Sequence, residues 1–198
     1  MAKLFVALNF SSDGLLSRKI TGFRRRFDPK YNQYSFAHMS LLAPFEVFDS
    51  DIAELGETLK EEIETFYYDN KTAPKLAFTG VGVHEYKRKQ HLYLNPCYNI
   101  DLSHCSDMIV DICKSFIPRS VKYKENKSQF LPLGVFNNED DLHTVLEHAK
   151  LEFNHNSELT IKSISLYQRR MGIWVENEVL VKFPDSEKHF LHLNNHSL

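Results

Sequence analysis

The chain has 198 residues and a formal net charge of −2, and 42% of its residues are hydrophobic. This length and composition indicate a folded globular protein with a real core, in one domain more readily than in two small ones. The balanced charge excludes a strong overall attraction to nucleic acid or to a membrane surface, although local basic patches remain possible.

The cysteines and the N-terminal segment bear on the compartment. The chain has three cysteines and no CxxC pair, which argues against a disulfide framework and against a cysteine zinc site. Residues 1–8 lack the long apolar run of a secretory signal, and no segment approaches the roughly 18 apolar residues of a membrane span. We therefore expect a cytoplasmic protein without a membrane partner, whose reduced thiols are buried as small hydrophobes.

The first third of the chain alternates between strand and helix patterns. Residues 3–10 are apolar and β-prone and predict a buried strand. Apolar residues at helical spacing predict a helix over 16–27, which Asp28-Pro29 ends. A second strand is predicted over 38–46, and the apolar stripe that begins at Ile52 predicts a second helix to about Tyr68.

The remaining two thirds continue this alternation. A charged turn, 87–90, separates two predicted strands, and the last two strands also form a pair. The polar tail, 186–198, carries histidines at spacings that a helix could use for a metal, but a loosely ordered terminus is the simpler interpretation. The predicted strands are 75–86, 91–99, 129–136, 159–169 and 172–183, and the predicted helices are 102–116 and 139–153.

The order of these elements suggests an internal duplication. Residues 3–46 and residues 91–136 each run strand, helix, strand, and a further helix follows each copy. Fixed repetition of an element pattern is the sign of duplicated architecture. The pattern predicts an α+β domain of two similar lobes over residues 1–185.

One short motif in the first copy has chemical meaning. His38-Met39-Ser40-Leu41 has the form H-x-[ST]-apolar, and on a strand residues i and i+2 project from the same face. A histidine can donate or accept a proton near neutral pH, and a neighbouring hydroxyl can donate a hydrogen bond to an oxyanion. The pair suits half of a site for a phosphoryl group. A partly buried histidine on a sheet is the alternative.

The context of this motif resembles a known family. Residues 27–46 read FDPKYNQYSFAHMSLLAPFE, which resembles the first motif of the 2H phosphoesterase superfamily in its small bacterial branch. That superfamily includes 2′-5′ RNA ligases and cyclic nucleotide phosphodiesterases. Residues 164–184, ISLYQRRMGIWVENEVLVKFP, resemble its C-terminal hairpin, so the resemblance covers essentially the whole chain. It implies two lobes, each an antiparallel sheet with helices on its outer face, around a central cleft.

The resemblance also implies a mechanism without metal or cofactor. One histidine of each lobe serves as base or acid, and the hydroxyls hold the phosphoryl oxygens. The second motif should lie in residues 128–136, where Leu133 and Gly134 match but Phe130 stands at the histidine position and Pro132 at the hydroxyl position. The letters of His104-Cys105-Ser106 also fit, but they fall in a predicted helix, where i and i+2 do not share a face. Loss of one acid–base group removes roughly 10²- to 10⁴-fold in rate.

We therefore predict a protein that acts on or binds a 2′,3′-cyclic or 2′-5′ phosphodiester of a nucleotide or an RNA end. His38 and Ser40 are the catalytic residues, turnover is weak or lost, and we expect a monomer. The alternative is a non-catalytic nucleotide-, RNA- or protein-binding module on the same fold. In that case Phe130 stacks on a base or fills the cleft.

Three further residues are candidates for binding. His91 lies on a predicted strand and could reach the cleft as a substitute proton donor. Lys122 and Lys124 precede the altered second motif and could hold a phosphate backbone. For each of them, and for the basic residues around the first helix such as Lys30, a solvated surface side chain is the alternative.

Overall fold

The computed structural model describes residues 1–12, 14–31, 38–42, 44–68, 73–123, 129–137, 139–154 and 157–184, together with the backbone but not the side chain of Asp140 as a helical residue. The polar tail after residue 184 lies outside them. The strands are β1 (Ala2–Phe10), β2 (His38–Ser40), β3 (Phe45–Val47), β4 (Lys75–Tyr86), β5 (Lys89–Cys97), β6 (Leu131–Phe136), β7 (Ser157–Arg170) and β8 (Ile173–Lys182). The helices are α1 (Leu15–Phe27), α2 (Ile52–Phe66), α3 (Ile100–Phe116) and α4 (Glu139–Glu152), and a single 3₁₀ turn, Asp49–Asp51, precedes α2.

The predicted elements are present in the predicted order, with one correction. The strand predicted over 38–46 is broken into β2 and β3, which pair with opposite ends of β1. Ser40 pairs with Ala7 and Phe45 with Leu4, so four residues lie against two of β1. Pro44, which has no N–H to donate to the ladder, lies in this break.

The strands form one antiparallel sheet in the order β2-β1-β7-β4-β5-β6, with β3 also on β1 and β8 on β7. The order reads as two copies of one pattern, β2-β1-β7 and β6-β5-β4, that meet where β4 pairs with β7. We call the first copy, with β3 and β8, lobe 1, and the second copy lobe 2. The duplication is therefore visible in the topology, but each lobe takes its third strand from the other half of the chain.

The helices pack on one face of this sheet. Apolar residues of every α-helix join alternate residues of the strands, such as Leu4, Met39, Leu92 and Leu131, in one large core. The other face, which we call the open face, carries only a small separate apolar cluster among the described residues. Alternation along each strand assigns its residues to the core or to the open face.

The sheet curls so that its two edge strands meet. β2 and β6 lie at opposite ends of the strand order, yet they contact each other. The side-chain amide of Gln129 joins the lobes, since its Nε2 donates to the carbonyl oxygen of Leu41 at 2.8 Å and to Ser106 Oγ at 2.6 Å. The two motif positions therefore face each other across the open face.

Two smaller expectations were also settled. Cys105 and Cys113 are buried, as predicted, but Cys97 is exposed because it ends β5 at the edge of the core. Burial raises the pKa of the Cys105 thiol to about 11, so that thiol stays protonated and inert at neutral pH. Within the described ranges, no helix has both the length and the apolarity that a membrane crossing needs.

Candidate functional site

The structure places the H-x-S pair on the open face. His38 pairs directly with Asn9 of β1, and Ser40 pairs with Ala7. Directly paired residues of antiparallel strands share a face. Met39, between them, points into the core and is fully buried, whereas His38 and Ser40 are half-buried.

Aromatic rings form the floor beneath His38. Phe5 and Tyr167 stack with ring centroids 4.8 Å apart and an angle of 10° between their planes. The His38 ring lies 5.6 Å from the Phe5 ring and 6.3 Å from the Tyr167 ring. Trp174 of β8 meets Phe5 edge-on at 4.7 Å. This packing restricts the rotamers of His38 and leaves one side of its ring toward the cleft.

A buried polar network lies beside this floor. Asn9 Nδ2 donates to Ser163 Oγ at 3.0 Å and to Ser165 Oγ at 2.9 Å. Asn9 Oδ1 accepts from the Tyr167 hydroxyl at 2.9 Å, and Glu176 Oε1 lies 3.4 Å from that hydroxyl. Burial, and then the charge of Glu176, raises the pKa of Tyr167, so its hydroxyl stays protonated and donates. The network fixes the strand that carries the partner of His38.

The second motif position is occupied by an aromatic stack. Phe130 stacks on Tyr93 with ring centroids 4.5 Å apart. The Tyr93 ring in turn lies flat on Gly82, where an added Cβ would come within 2.7 Å of it. Pro132 is paired with Tyr93 on the same face, so neither motif position offers a proton or a hydroxyl. The two half-sites are therefore chemically different.

Two histidines lie next to this stack. His91 is directly opposite His84 on the paired strands β5 and β4, and the His84 ring is 6.5 Å from the Phe130 ring. Burial, and then the nearby positive charges of His84 and two lysines, lowers the pKa of His91, so it is neutral at pH 7. The structure thus brings the predicted candidate His91 to the open face of lobe 2.

Sequence reasoning missed His84, although a signal was present. The β4–β5 turn is only two residues long, Lys87 and Arg88, both with positive φ (51° and 59°). In a two-residue hairpin, residues equidistant from the turn are paired. Counting back from a two-residue turn at 87–88 would have placed His84 opposite His91.

The predicted lysines are not brought into this arrangement. Lys122 is exposed after α3 and makes no hydrogen bond or ion pair with the described residues. Lys124 lies outside the described residues, as do the histidines of the tail. In the part of the chain that the structure covers, no three His, Cys, Asp or Glu side chains come together as a metal site requires.

No protein-family model and no curated protein matches this chain, but solved structures do. Apo LigT from E. coli superposes with a TM-score of 0.55 at 12% identity, over 93% of this chain and 98% of LigT. LigT complexed with 3′-AMP superposes with a TM-score of 0.52 at 11% identity, over 93% and 99%. Kluyveromyces marxianus Usb1 with uridine monophosphate superposes with a TM-score of 0.51 at 15% identity, over 92% and 98%.

Proposed function

Because the chain has the fold of the 2H phosphoesterase superfamily, to which LigT and Usb1 belong, we propose that it binds a 2′,3′-cyclic or 2′-5′ phosphodiester of a nucleotide or RNA end. The ligand lies between the half-site of His38 and Ser40 and the stack of Phe130 and Tyr93. The observation that carries the proposal is the placement of His38 and Ser40 side by side on the open face, on an edge strand that contacts β6. The complexes of LigT with 3′-AMP and of Usb1 with uridine monophosphate support a nucleotide as the ligand.

The half-site can perform one half of a hydrolysis without a metal. His38 takes a proton from water as the water oxygen bonds to phosphorus, and Ser40 donates a hydrogen bond to a phosphoryl oxygen. The bond between phosphorus and the leaving ribose oxygen then breaks, and that oxygen takes up a proton. In a complete site a second histidine supplies this proton. Here Phe130 cannot, so the proton comes from His84, His91 or solvent, and turnover is slow.

A binding module without turnover is the second candidate, and a specific contact favours it. Phe130 is packed on Tyr93, which is itself packed on Gly82, so the ring occupies the motif position in a fixed orientation. A fixed aromatic ring beside a cleft is a surface on which a base can stack. On this alternative His38 and Ser40 serve only to hold the phosphate.

A turnover and binding assay separates these candidates. The substrates are RNA ending in a 2′,3′-cyclic phosphate and a panel of small cyclic nucleotides, at protein concentrations that would detect a rate weakened by about 10⁴-fold. The variant is His38→Ala, and the matched control is His143→Ala, an exposed histidine on α4. Turnover that only His38→Ala abolishes supports the enzyme. Binding without turnover that only His38→Ala weakens supports the module. If neither depends on His38, both candidates fail.

We also propose that the protein is a cytoplasmic monomer and that residues 1–185 form one domain, with 186–198 as an appended tail. The continuous sheet and the shared core support a single unit. We expect a chain that ends at residue 185 to keep its midpoint of thermal unfolding and to elute as a monomer. Separate unfolding transitions for the two lobes would contradict the single domain.

A further inference from the structure

Nitrogen-bearing side chains converge on lobe 2, beside the stack of Tyr93 and Phe130. His84 and His91 are paired across β4 and β5, and Lys89 shares the face of His91 two residues earlier on β5. Lys30 joins them from the turn that follows α1, as its side chain lies within hydrogen-bonding distance of Lys89. We call these four residues the lobe-2 basic cluster.

The fold brings Lys30 to this place through β6. The Cα atom of Asp28 lies 3.5 Å from the position that a Cβ on Gly134 would occupy, so the turn after α1 packs directly on that strand. Val135, the next residue, is paired with His91 of β5. The turn and His91 are thus on neighbouring strands of one lobe, although they are about 60 residues apart in the chain.

The positive charge of the cluster is not balanced. Within the described ranges, neither Lys30 nor Lys89 forms an ion pair with a carboxylate. The acidic group nearest in sequence, Asp28, already accepts from the Lys30 backbone N–H at 3.0 Å and lies 3.6 Å from Arg24. The pKa values of Lys30 and His91 are both lowered, in part by the charges of the other cluster members.

An anion would remove this imbalance. Two ammonium groups cannot donate to each other while both are charged, but both can donate to one shared acceptor. A phosphate monoester has three acceptor oxygens and nearly two negative charges, and its hydrogen bonds to charged donors are stronger than neutral ones. The imidazoles of His84 and His91 can add neutral N–H donors.

We propose that the lobe-2 basic cluster binds a terminal phosphate monoester of the ligand, separate from the phosphodiester held by His38 and Ser40. The inference rests on the proposed function, because it assigns both phosphates to one nucleotide or RNA end. The ligand class is accordingly a nucleotide with a second, terminal phosphate. The aromatic stack of Phe130 and Tyr93 lies beside the cluster, on the way from one phosphate to the other.

A first experiment tests the cluster by itself with inorganic phosphate. Imidazole proton resonances are followed by NMR in the full chain, in Lys30→Gln/Lys89→Gln, and in the control Lys60→Gln on the exposed side of α2. We expect phosphate to shift the His91 resonance and to raise its pKa in the wild type and in Lys60→Gln, but not in the double variant. Equal shifts in all three proteins, or none in the wild type, would overturn the site.

A second experiment links the cluster to the ligand. Affinities for adenosine 3′,5′-bisphosphate and adenosine 3′-monophosphate are compared by calorimetry. We expect the bisphosphate to bind about tenfold more tightly to the wild type and to Lys60→Gln, and the advantage to vanish in Lys30→Gln/Lys89→Gln. Both lysines lie at the surface, and an unchanged midpoint of thermal unfolding shows that the double variant is folded.

The outcomes distinguish this inference from the proposed function. If the monophosphate binds in a His38-dependent way but the second phosphate adds no affinity, the inference fails and the proposed function stands. If neither nucleotide binds but inorganic phosphate still shifts His91, the proposed function fails and the anion site stands, without its assignment to that ligand. An advantage that persists in the double variant would place the second phosphate elsewhere.

Discussion

Replacement of Asn9 by alanine should be among the most destabilising single changes on the open face. The Asn9 amide makes three hydrogen bonds of 2.9–3.0 Å, two as donor to Ser163 and Ser165 and one as acceptor from Tyr167. All four residues are nearly inaccessible, with exposures of 8% or less. Asn9→Ala therefore strands buried groups that water cannot reach.

The magnitude follows from the number of groups and from their remaining partners. Each lost hydrogen bond costs about 1 kcal/mol net, and a buried group left without a partner costs about 1–3 kcal/mol. Weaker contacts of 3.4 Å remain between the hydroxyls of Ser163 and Ser165 and between the Tyr167 hydroxyl and Glu176, and they limit the loss. We expect Asn9→Ala to lower the free energy of unfolding by about 3 kcal/mol.

Urea denaturation of the full chain measures this change as a shift in midpoint at constant slope. Asn177→Ala is the matched control, since the Asn177 side chain accepts only an exposed hydrogen bond from Arg170, and its cost should stay within about 0.5 kcal/mol. Tyr167→Phe, which removes one donor, should cost about 1 kcal/mol. A cost for Asn9→Ala no larger than that for Asn177→Ala would refute the account of the network. Since Asn9 is the strand partner of His38, we also expect weaker His38-dependent binding.

Three further changes follow from the same geometry. If the altered second motif limits turnover, Phe130→His should raise the hydrolysis rate by about 10²-fold or more, and an unchanged rate would show that the second histidine is not what is missing. Replacing Lys87-Arg88 by Asn-Gly should raise the free energy of unfolding by about 1 kcal/mol or more, because both residues have positive φ, and thermal unfolding would measure it. The pKa of His91 is lowered on folding, so the unfolded state binds its proton first. Stability should therefore fall as the pH drops below about 6.5, and His91→Gln should make this fall shallower in urea titrations at several pH values.

The sequence by itself determined the local structure and half of the site. Period-two alternation predicts that His38 and Ser40 share a face, and apolar residues at helical spacing predict each helix, because both signals depend only on near neighbours in the chain. The repeated order of elements predicted two similar lobes, and the strand order confirms that they are present. The departure at Phe130 was also readable, since it concerns which residue stands at a position.

Only the tertiary structure decided which distant residues meet. Alternation left the orientation of Tyr167 open, and its pairing with Phe5 turned it to the open face, where it joins Asn9. The contact of Lys30 with Lys89 required a turn after α1 to pack on β6, a strand about 100 residues later in the chain. Such contacts are set by the register of strands that are far apart in sequence, and a shift of one residue would reverse every face. Local patterns carry no information about that register, so the open face is a property of the folded sheet.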